Sequence, residues 1–308
     1  MRVVSLFSGA GGLDLGFLQE GHELIWANEN YKDAFDTYHK NLGDHIVFGD
    51  IRDIPSSEIP ECDIVIGGFP CQGFSIANAK RSEKDSRNRL YLEFPRVIRD
   101  KKPKYFLAEN VKGLVSLCKG KVLEMIVGDF VRAGYHIKHK VLDAANYGVP
   151  QHRERIIFIG IRKDLHEEIE FPEPTHSDPS LSASFQKKPW VSVGEALYNI
   201  PEPDDAPTLP NHTYSKYKLR FNNYLGHRRV DPNRPSPTIT ARGDDRGGVV
   251  VIHHPSNKRR MSARELAIVQ SFPIDYAFCG CRSSVYRQVA NAVPYLMAKA
   301  LASIFPKT

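Results

Sequence analysis

The sequence of residues 63–75 is Asp63-Ile64-Val65-Ile66-Gly67-Gly68-Phe69-Pro70-Cys71-Gln72-Gly73-Phe74-Ser75. Its short apolar, β-branched run is typical of a buried parallel strand. Two glycines and a proline then predict a sharp turn, which leaves Cys71 in a loop just past the carboxyl end of the strand. Open α/β sheets bind their ligands at that end of their strands. The stretch therefore predicts an α/β sheet with a thiol at its ligand-binding edge.

Cys71 has two interpretations. A cysteine is most often a small, buried, apolar residue. Here Pro70 lacks a backbone donor and fixes the chain, while Gln72 and Ser75 add polar groups near the sulfur. That setting favours a nucleophile over a packing residue.

The composition is typical of a folded protein whose cysteines are reduced. The chain has 308 residues, 41% of them apolar, which is enough for one large domain and a smaller one. No run approaches the roughly 18 to 20 apolar residues of a membrane span. The start of the chain lacks the pattern of a secretion signal, so we expect a cytoplasmic protein with no membrane partner. The cysteines are odd in number and scattered, and Cys279-Gly280-Cys281 has no second ligand pair nearby, so we expect no disulfide framework and no metal site.

Positive charge is concentrated in one segment. The net charge is +6, and Asn211 to Arg264 contains twelve basic and three acidic residues, which makes that segment +9 and leaves −3 for the rest. A basic run is usually a solvated face. Concentrated in a stretch rich in Tyr, Asn and Gly beside a mildly acidic region, it favours contact with a phosphate backbone.

Three successive strand ends carry the features of a nucleotide-like site. A glycine turn, Ser8-Gly9-Ala10-Gly11-Gly12, follows the first strand, Glu29 ends the second and Asp50 ends the third. Each acid alone could cap a helix, and a glycine turn is often only a tight connection. Together they predict a pocket for an adenosine group without a pyrophosphate, and S-adenosylmethionine fits that description.

Glu109 follows the next predicted strand, Tyr105–Ala108. It could be a helix-start acid that interacts with the helix dipole. With Cys71 after the neighbouring strand, an acid that supports a substrate ring explains it better. Arg153 and Arg155 alternate on a later strand and would lie on one face, where they suit an anion; a surface ion pair with Glu154 is the alternative.

Several of these motifs resemble one family. Gly-Gly, Pro-Cys-Gln and Phe-Ser in 67–75 resemble the nucleophile loop of the cytosine carbon-5 DNA methyltransferases. Residues 6–12 resemble the family's cofactor loop, and further matches follow in family order at 151–155, 234–240 and 291–294. His152 stands where several members carry Lys, and Ala290 replaces the commoner Gly. The part between Ile161 and Arg234 is the least similar.

The resemblance implies roles for individual residues. Cys71 would attack carbon 6 of a flipped-out cytosine and Glu109 would support N3, with Arg153 and Arg155 supporting the base pocket. The methyl group of S-adenosylmethionine would pass to carbon 5. The expected cofactor-binding residues are Phe7, Gly9, Gly11, Glu29, Asp50, Ile51, Pro70 and Asn291. The expected DNA-binding residues are Gln72, Ser75, Arg228, Arg229, Thr238, Arg242 and Arg246, with a phosphate-binding or structural role for Thr238.

The predicted fold is α/β, a doubly wound and mostly parallel methyltransferase sheet with a second, smaller target-recognition domain. We expect the catalytic domain in 1–170 plus 284–308 and the small domain in 171–283. Within the catalytic domain we expect a basic loop over 80–89, which the resemblance implies closes over DNA, and a helix from Leu90 that Pro95 interrupts.

Duplex DNA is the expected partner, with no obligate protein partner and a monomeric state. The resemblance also implies the methyltransferase of a bacterial restriction system. Two alternatives remain: a transfer-RNA cytosine methyltransferase, and a catalytically silent DNA-binding or cofactor-sensing protein. Neither the recognised DNA sequence nor the base that removes the carbon-5 proton follows from the sequence.

Overall fold

The computed structural model describes residues 1–70, 86–182, 186–216, 218–222, 227–240 and 252–307. Within these ranges, no helix combines the length and the apolar character needed to cross a bilayer.

A mostly parallel sheet forms the centre of the described structure. Its strands lie in the order β3-β2-β1-β4-β5-β7-β6. The first five are parallel to their neighbours, whereas β7 runs antiparallel to both β5 and β6. The predicted doubly wound, mostly parallel α/β fold is therefore confirmed. The strands are β1 Arg2–Leu6, β2 Glu23–Glu29, β3 Ile46–Phe48, β4 Ile64–Gly67, β5 Tyr105–Val111, β6 Tyr135–Asp143 and β7 Glu154–Arg162, and a small second sheet pairs β8 His176–Ser177 with β9 Lys188–Pro189.

Helices cover both faces of the large sheet. They are α1 Gly12–Gln19, α2 Lys32–Leu42, α3 Ser86–Lys101, α4 Lys121–Arg132, α5 Pro179–Ser182, α6 Val193–Leu197, α7 Ala263–Val269, α8 Arg282–Asn291 and α9 Tyr295–Ala302. Short 3-10 helices lie at Ile51–Asp53, Ser56–Glu58, Lys112–Gly120 and Ala144–Tyr147.

Alternation along the strands explains the two-sided core. Val3 and Ile64 belong to an apolar cluster with Phe17 of α1 and Met297 of α9. Their neighbours in sequence, Val4 and Val65, pack instead with α3 and α4 in a second cluster. Because successive side chains of a strand point to opposite faces, each strand supplies both layers and stays buried between them.

The prediction for α3 was wrong in two respects. The helix begins at Ser86, so the predicted loop over 80–89 is too long, and it runs through Pro95 to Lys101 without interruption. A proline inside a helix removes one backbone hydrogen bond. Phe94, Val97 and Ile98 flank it and are fully buried, so their packing against the sheet offsets that loss.

A third apolar cluster joins the start of the chain to its later part. Leu15 of α1 packs with Val193 of α6, Leu266 of α7 and Val289 of α8. Helix α7 begins at a capping box, in which the Ser262 hydroxyl accepts from the amide of Glu265 and the Glu265 carboxylate accepts from the amide of Ser262. The division of the chain into two domains stays a proposal.

Candidate active site

A cavity of about 660 Å³ lies at the carboxyl ends of β1, β4 and β5. Its wall contains residues from distant parts of the chain, namely 5–10, 12–14, 29–31, 34, 67–70, 109–111, 238–240, 287–288 and 290–293, together with Arg153 and Arg155. Strand order reverses between β1 and β4, since β2 and β3 follow β1 on one side and β4 and β5 lie on the other. Ligands of open α/β sheets bind at such a switch point.

A left-handed turn forms one side of the cavity. Phe7 and Gly9 have φ angles of 54° and 56°. That conformation is costly for phenylalanine and easy for glycine. A Cβ atom on residue 9 would have no heavy atom within 4 Å, so the space above this glycine is open. The turn thus exposes its backbone to whatever occupies the cavity.

Glu29 holds this turn against the end of β2. Its Oε2 accepts from the Gly9 amide at 2.8 Å, and its Oε1 accepts from the amides of Asn30 and Tyr31 at 3.0 and 2.7 Å. Burial raises the pKa of Glu29, against the three amide hydrogen bonds, which lower it. The predicted cofactor residues Phe7, Gly9, Glu29, Pro70 and Asn291 all lie on the cavity wall.

Three other predicted cofactor residues lie elsewhere. Gly11 is the left-handed N-cap of α1, with φ of 81°. The Asp50 carboxylate accepts from the backbone amide and guanidinium of Arg52 at 3.0 and 2.9 Å, and the guanidinium hydrogen bond lowers its pKa. Ile51 is buried in the second apolar cluster. None of the three lines the cavity, so their role in cofactor binding stays a prediction.

Glu109 lies on the opposite side of the cavity, at the end of β5. Strand register places Gly67 beside Ala108, so the next residues along, Gly68 and Glu109, are neighbours. A Cβ atom on residue 68 would lie 3.0 Å from Oε2 of Glu109. The glycine therefore leaves room beside this carboxylate. Asn110 fixes the start of the adjoining loop, because its side-chain amide donates to the Phe69 carbonyl at 2.9 Å.

Arg155 pairs with Glu109. Its Nε lies 2.8 Å from Oε1 of Glu109, and the two side chains are only 11% and 12% exposed. The antiparallel pairing of β5 with β7 sets this contact, since Arg155 lies opposite Val111. A guanidinium thus holds one carboxylate oxygen and leaves the other directed toward Gly68. The alternative of a surface ion pair between an arginine and Glu154 is not what the described residues form, because Glu154 pairs with Lys112.

Arg153 faces the same cavity but is bound to the backbone. It is 1% exposed, and its guanidinium donates to the carbonyls of Ile239, Ala290 and Ala292 at 3.0, 2.7 and 3.0 Å. Burial lowers the pKa of Arg153, and the charge of Arg155 lowers it further. The side chain therefore joins two distant segments of the cavity wall, around residues 239 and 291.

A sequence model of the C-5 cytosine-specific DNA methylases matches residues 1–306. The chain belongs to this family. Type II methyltransferase M.NgoFVII of Neisseria gonorrhoeae is 40% identical to it over 99% of this chain and 87% of the relative. Type II methyltransferase M.BsuRI of Bacillus subtilis is 35% identical over 98% and 78% of the two chains. The fold is similar to that of S. pombe Dnmt2 methyltransferase, with a TM-score of 0.69 and 18% identity over 98% and 97% of the two chains.

Two residues that distinguish this enzyme from the commoner family pattern are accommodated locally. Ala290 lies inside α8 and has no left-handed backbone, so glycine is not required there. His152 donates from Nδ1 to Oδ2 of Asp143 at 2.8 Å, and its carbonyl accepts from the Thr238 hydroxyl at 2.6 Å. Thr238 thereby has a structural contact on the wall of the cavity.

Only some of the basic residues between Asn211 and Arg264 lie on the surface of the enzyme. Arg228 and Arg229 are exposed, and the Arg229 guanidinium lies 4.4 Å from the ring centre of Phe221. Arg259, Arg260 and Arg264 are buried. Of the twelve basic residues of this segment, at least these three therefore serve the interior and do not contribute to a phosphate-facing surface.

Several predicted residues lie outside the part of the enzyme that the structure describes. They are the nucleophile Cys71 and the DNA-contact candidates Gln72, Ser75, Arg242 and Arg246. Pro70, the last described residue before Cys71, lines the cavity.

Sequence reasoning missed Asp14, Tyr31 and Arg287, which all lie on the cavity wall of the enzyme. A signal for Asp14 was present, since an acid between Leu13 and Leu15 interrupts the buried face of α1. Tyr31 and Arg287 have no such signal. The guanidinium of Arg287 lies 5.4 Å from the Tyr31 ring centre only because the folded chain brings α8 beside α2.

Proposed function

We propose that this DNA methyltransferase transfers a methyl group from S-adenosylmethionine to carbon 5 of a cytosine flipped out of duplex DNA, through a covalent adduct with Cys71. The observation that carries the proposal is that one cavity contains both the Gly9–Glu29 turn and the Glu109–Arg155 pair. A cofactor at the Gly9–Glu29 turn and a pyrimidine at the Glu109–Arg155 pair would then lie in one enclosed space.

The cavity residues fit the cofactor. Glu29 offers a buried carboxylate to ribose hydroxyls, and the open space above Gly9 accommodates a ligand close to the backbone. Asn291 and the Val293 region, both on the wall, would hold the methionine end. When bound, S-adenosylmethionine supplies an electrophilic methyl group on a sulfonium.

Cys71 would prepare the ring for that methyl group. Carbon 5 of cytosine is a poor nucleophile in the aromatic ring. Addition of the Cys71 thiolate to carbon 6 forms a carbon–sulfur bond, breaks the double bond between carbons 5 and 6, and makes carbon 5 electron-rich. Once carbon 5 is methylated, loss of its proton to a base and cleavage of the carbon–sulfur bond restore the ring and release the thiolate.

Glu109 would hold the opposite edge of the same ring. Its carboxyl group is directed toward the room beside Gly68 and can bind N3 and the exocyclic amine of cytosine. Arg155 would fix the orientation of that carboxyl group through the 2.8 Å ion pair. Because a stacked and paired base cannot present carbon 6 to a thiol, the cytosine must leave the helix, at a cost of a few kcal/mol, roughly.

The names of the relatives support a biological role. They are named type II methyltransferases, so we propose that this enzyme modifies a specific duplex site in the cytoplasm and protects host DNA from a cognate restriction enzyme. The small domain, proposed at 171–283, would supply the sequence-reading contacts, with Arg228 and Arg229 as exposed candidates.

Trapping of the adduct tests this proposal. The substrate is duplex DNA of the host sequence in which 5-fluorocytosine replaces cytosine. Fluorine takes the place of the hydrogen on carbon 5, so no proton can be lost there after methylation and the sulfur cannot be eliminated. We expect an SDS-resistant complex with the wild-type enzyme and S-adenosylmethionine, and none with Cys71→Ser, which should still bind the cofactor with nearly unchanged affinity.

Transfer of labelled methyl groups to cytosine-containing duplex DNA and to transfer RNA, run in parallel, separates the alternatives. Label on transfer RNA alone would reject the DNA proposal. An adduct that forms equally well with Cys71→Ser would reject the assigned nucleophile.

A further inference from the structure

Asp14 is a fully buried carboxylate on the wall of the cavity, in the first turn of α1. Its Oδ1 accepts a hydrogen bond from the Tyr38 hydroxyl at 3.0 Å. Its Oδ2 has no hydrogen-bond partner among the described residues. A buried carboxylate oxygen is costly to leave unpaired, and the place of Asp14 on the cavity wall puts this charge beside whatever occupies the cavity.

The charges around Asp14 are mostly negative. Burial, more than the charge of Glu29, raises the pKa of Asp14 to about 6, while hydrogen bonds with Ser5 and Tyr38 lower it. Neither Asp14 nor Glu29 has a cationic partner in the described ranges. Two buried carboxylates of one cavity therefore lack a counter-charge.

The other groups that face Asp14 do not supply one. They are Ser5 on β1, Tyr38 on α2 and Tyr276 after α7, whose pKa burial raises strongly. His45 contacts the Tyr38 hydroxyl at 2.9 Å, and burial lowers the pKa of this histidine. Arg153 and Arg287 line the cavity, but Arg153 donates to three carbonyls and Arg287 lies over the Tyr31 ring.

We infer that Asp14 is a charge-selecting residue of the cofactor cavity, which together with Glu29 favours the cationic methyl donor over the neutral product of methyl transfer. This inference rests on the proposed cofactor. S-adenosylmethionine carries one net positive charge, from a sulfonium and an ammonium against a carboxylate. Transfer of the methyl group turns the sulfonium into a thioether, so S-adenosylhomocysteine is neutral overall. The carboxylates of Asp14 and Glu29 would thus hold the donor more tightly than the product and favour release of the product.

Equilibrium binding of matched ligands tests the inference without turnover. Sinefungin carries an amine where the donor carries its sulfonium, so it is cationic and cannot transfer a methyl group. Calorimetric titration of sinefungin and S-adenosylhomocysteine at pH 5 and pH 8 gives the ratio of their dissociation constants. Three variants are compared with the wild type. Asp14→Asn removes the carboxylate, whereas Tyr38→Phe keeps it. Asp205→Asn is a control at an exposed acid outside the cavity.

At pH 8 we expect Asp14→Asn to reduce the preference for sinefungin by about tenfold, chiefly through weaker sinefungin binding. Asp205→Asn and Tyr38→Phe should keep the wild-type preference at that pH. Because Asp14 is protonated below about pH 6, the wild-type preference should fall toward that of Asp14→Asn at pH 5, and the pH dependence that remains in the variant reports Glu29.

Two results would overturn the inference while the proposed function stands. One is an unchanged preference in folded Asp14→Asn, as expected if Oδ2 binds only water. The other is an equal loss of affinity for both ligands, as expected of a structural residue. Thermal unfolding of each variant establishes that the titrated protein is folded. A wild-type enzyme that binds S-adenosylmethionine, sinefungin and S-adenosylhomocysteine with no measurable affinity would instead refute the proposed cofactor.

Discussion

The Glu109 carboxylate has two differently placed oxygens. Oε1 is held by Arg155 at 2.8 Å, whereas Oε2 faces the room beside Gly68. Glutamine at this position can still accept a hydrogen bond from Arg155 but cannot transfer a proton. We expect Glu109→Gln to lower the methylation rate by about 10²- to 10⁴-fold, with cofactor affinity within about twofold of wild type, because no cofactor contact is removed.

Glu154→Gln is the matched control for this change. Glu154 is an acid of the neighbouring strand that pairs with exposed Lys112. Single-turnover methylation and calorimetric cofactor binding, measured on both variants, check the prediction. Equal loss of rate in the two variants would contradict a special role for Glu109.

The loss of Arg153 should damage the fold. It satisfies three backbone carbonyls in the interior, and alanine would leave all of them without a donor. We expect Arg153→Ala to reduce the free energy of unfolding by about 3 to 5 kcal/mol. Urea unfolding measures this loss, and Arg132→Ala, at a side chain that is 69% exposed, should cost less than about 1 kcal/mol. A similar small loss for Arg153→Ala would show that water replaces its hydrogen bonds.

Asp14 should lower stability where it is ionised. The pKa of about 6 in the folded chain lies above the ordinary 3.8, so the folded state binds the proton more tightly than the unfolded state. Its cost is fully present above pH 6 and disappears below about pH 4. We expect Asp14→Asn to raise the free energy of unfolding by roughly 1 to 3 kcal/mol at pH 8 and by almost nothing at pH 4.

Urea unfolding across that pH range checks the prediction for Asp14. A gain in stability that is equal at both pH values would show that the carboxylate charge is not its source. If Asp14→Asn is more stable than the wild type at pH 8 and also binds sinefungin more weakly, Asp14 contributes to ligand binding at a cost in stability.

At the scale of an element, the two turns that flank α1 offer a matched pair of glycines, Gly9 before the helix and Gly21 after it. Gly9 and Gly21 have φ angles of 56° and 86°, and a Cβ atom on either would meet no heavy atom within 4 Å. Only Gly9 lines the cavity and donates to Glu29. We expect alanine at either position to cost about 1 to 2 kcal/mol of stability, whereas Gly9→Ala alone should weaken cofactor binding by about tenfold or more.

Urea unfolding and cofactor titration of the two variants separate the effects. Cofactor affinity that falls equally in Gly21→Ala would mean that the loss reflects general destabilisation and not the shape of the cavity.

Helix α3 continues through a proline at which local propensity predicts a break. Local propensity predicts a break at Pro95, because proline removes a hydrogen bond and clashes with the preceding turn. The helix nevertheless continues from Ser86 to Lys101. Tyr91, Phe94, Val97 and Ile98 all pack into the core, and this burial is invisible to a local pattern. Propensity was outweighed by tertiary packing.

At the scale of the whole molecule, DNA affinity should depend on exposed arginines only. Arg228 and Arg229 are exposed in the proposed recognition region. Arg162 ends β7 beside the start of β5, where Ile161 pairs with Tyr105, so it lies at the end of the sheet opposite the cavity. If both recognition arginines contact phosphates, the double variant Arg228→Ala/Arg229→Ala should flatten the slope of log affinity against log salt concentration by about 2.

Fluorescence anisotropy of labelled duplex DNA at several salt concentrations measures that slope. Arg162→Ala serves as the control and should leave it unchanged. A slope that stays the same in the double variant would exclude phosphate contact by this pair, and a loss confined to one DNA sequence would indicate base reading instead.

The sequence alone determined the seven strands of the large sheet, their mostly parallel arrangement and the strand ends that carry Gly9, Glu29 and Glu109. Alternation, β-branching and glycine turns act between near neighbours, so they are readable without the folded chain. Only the tertiary structure decided that Arg155 reaches Glu109, that Arg153 binds carbonyls near residues 239 and 291, and that Asp14 joins the cavity. These contacts depend on strand register and on burial, which distant parts of the chain create together.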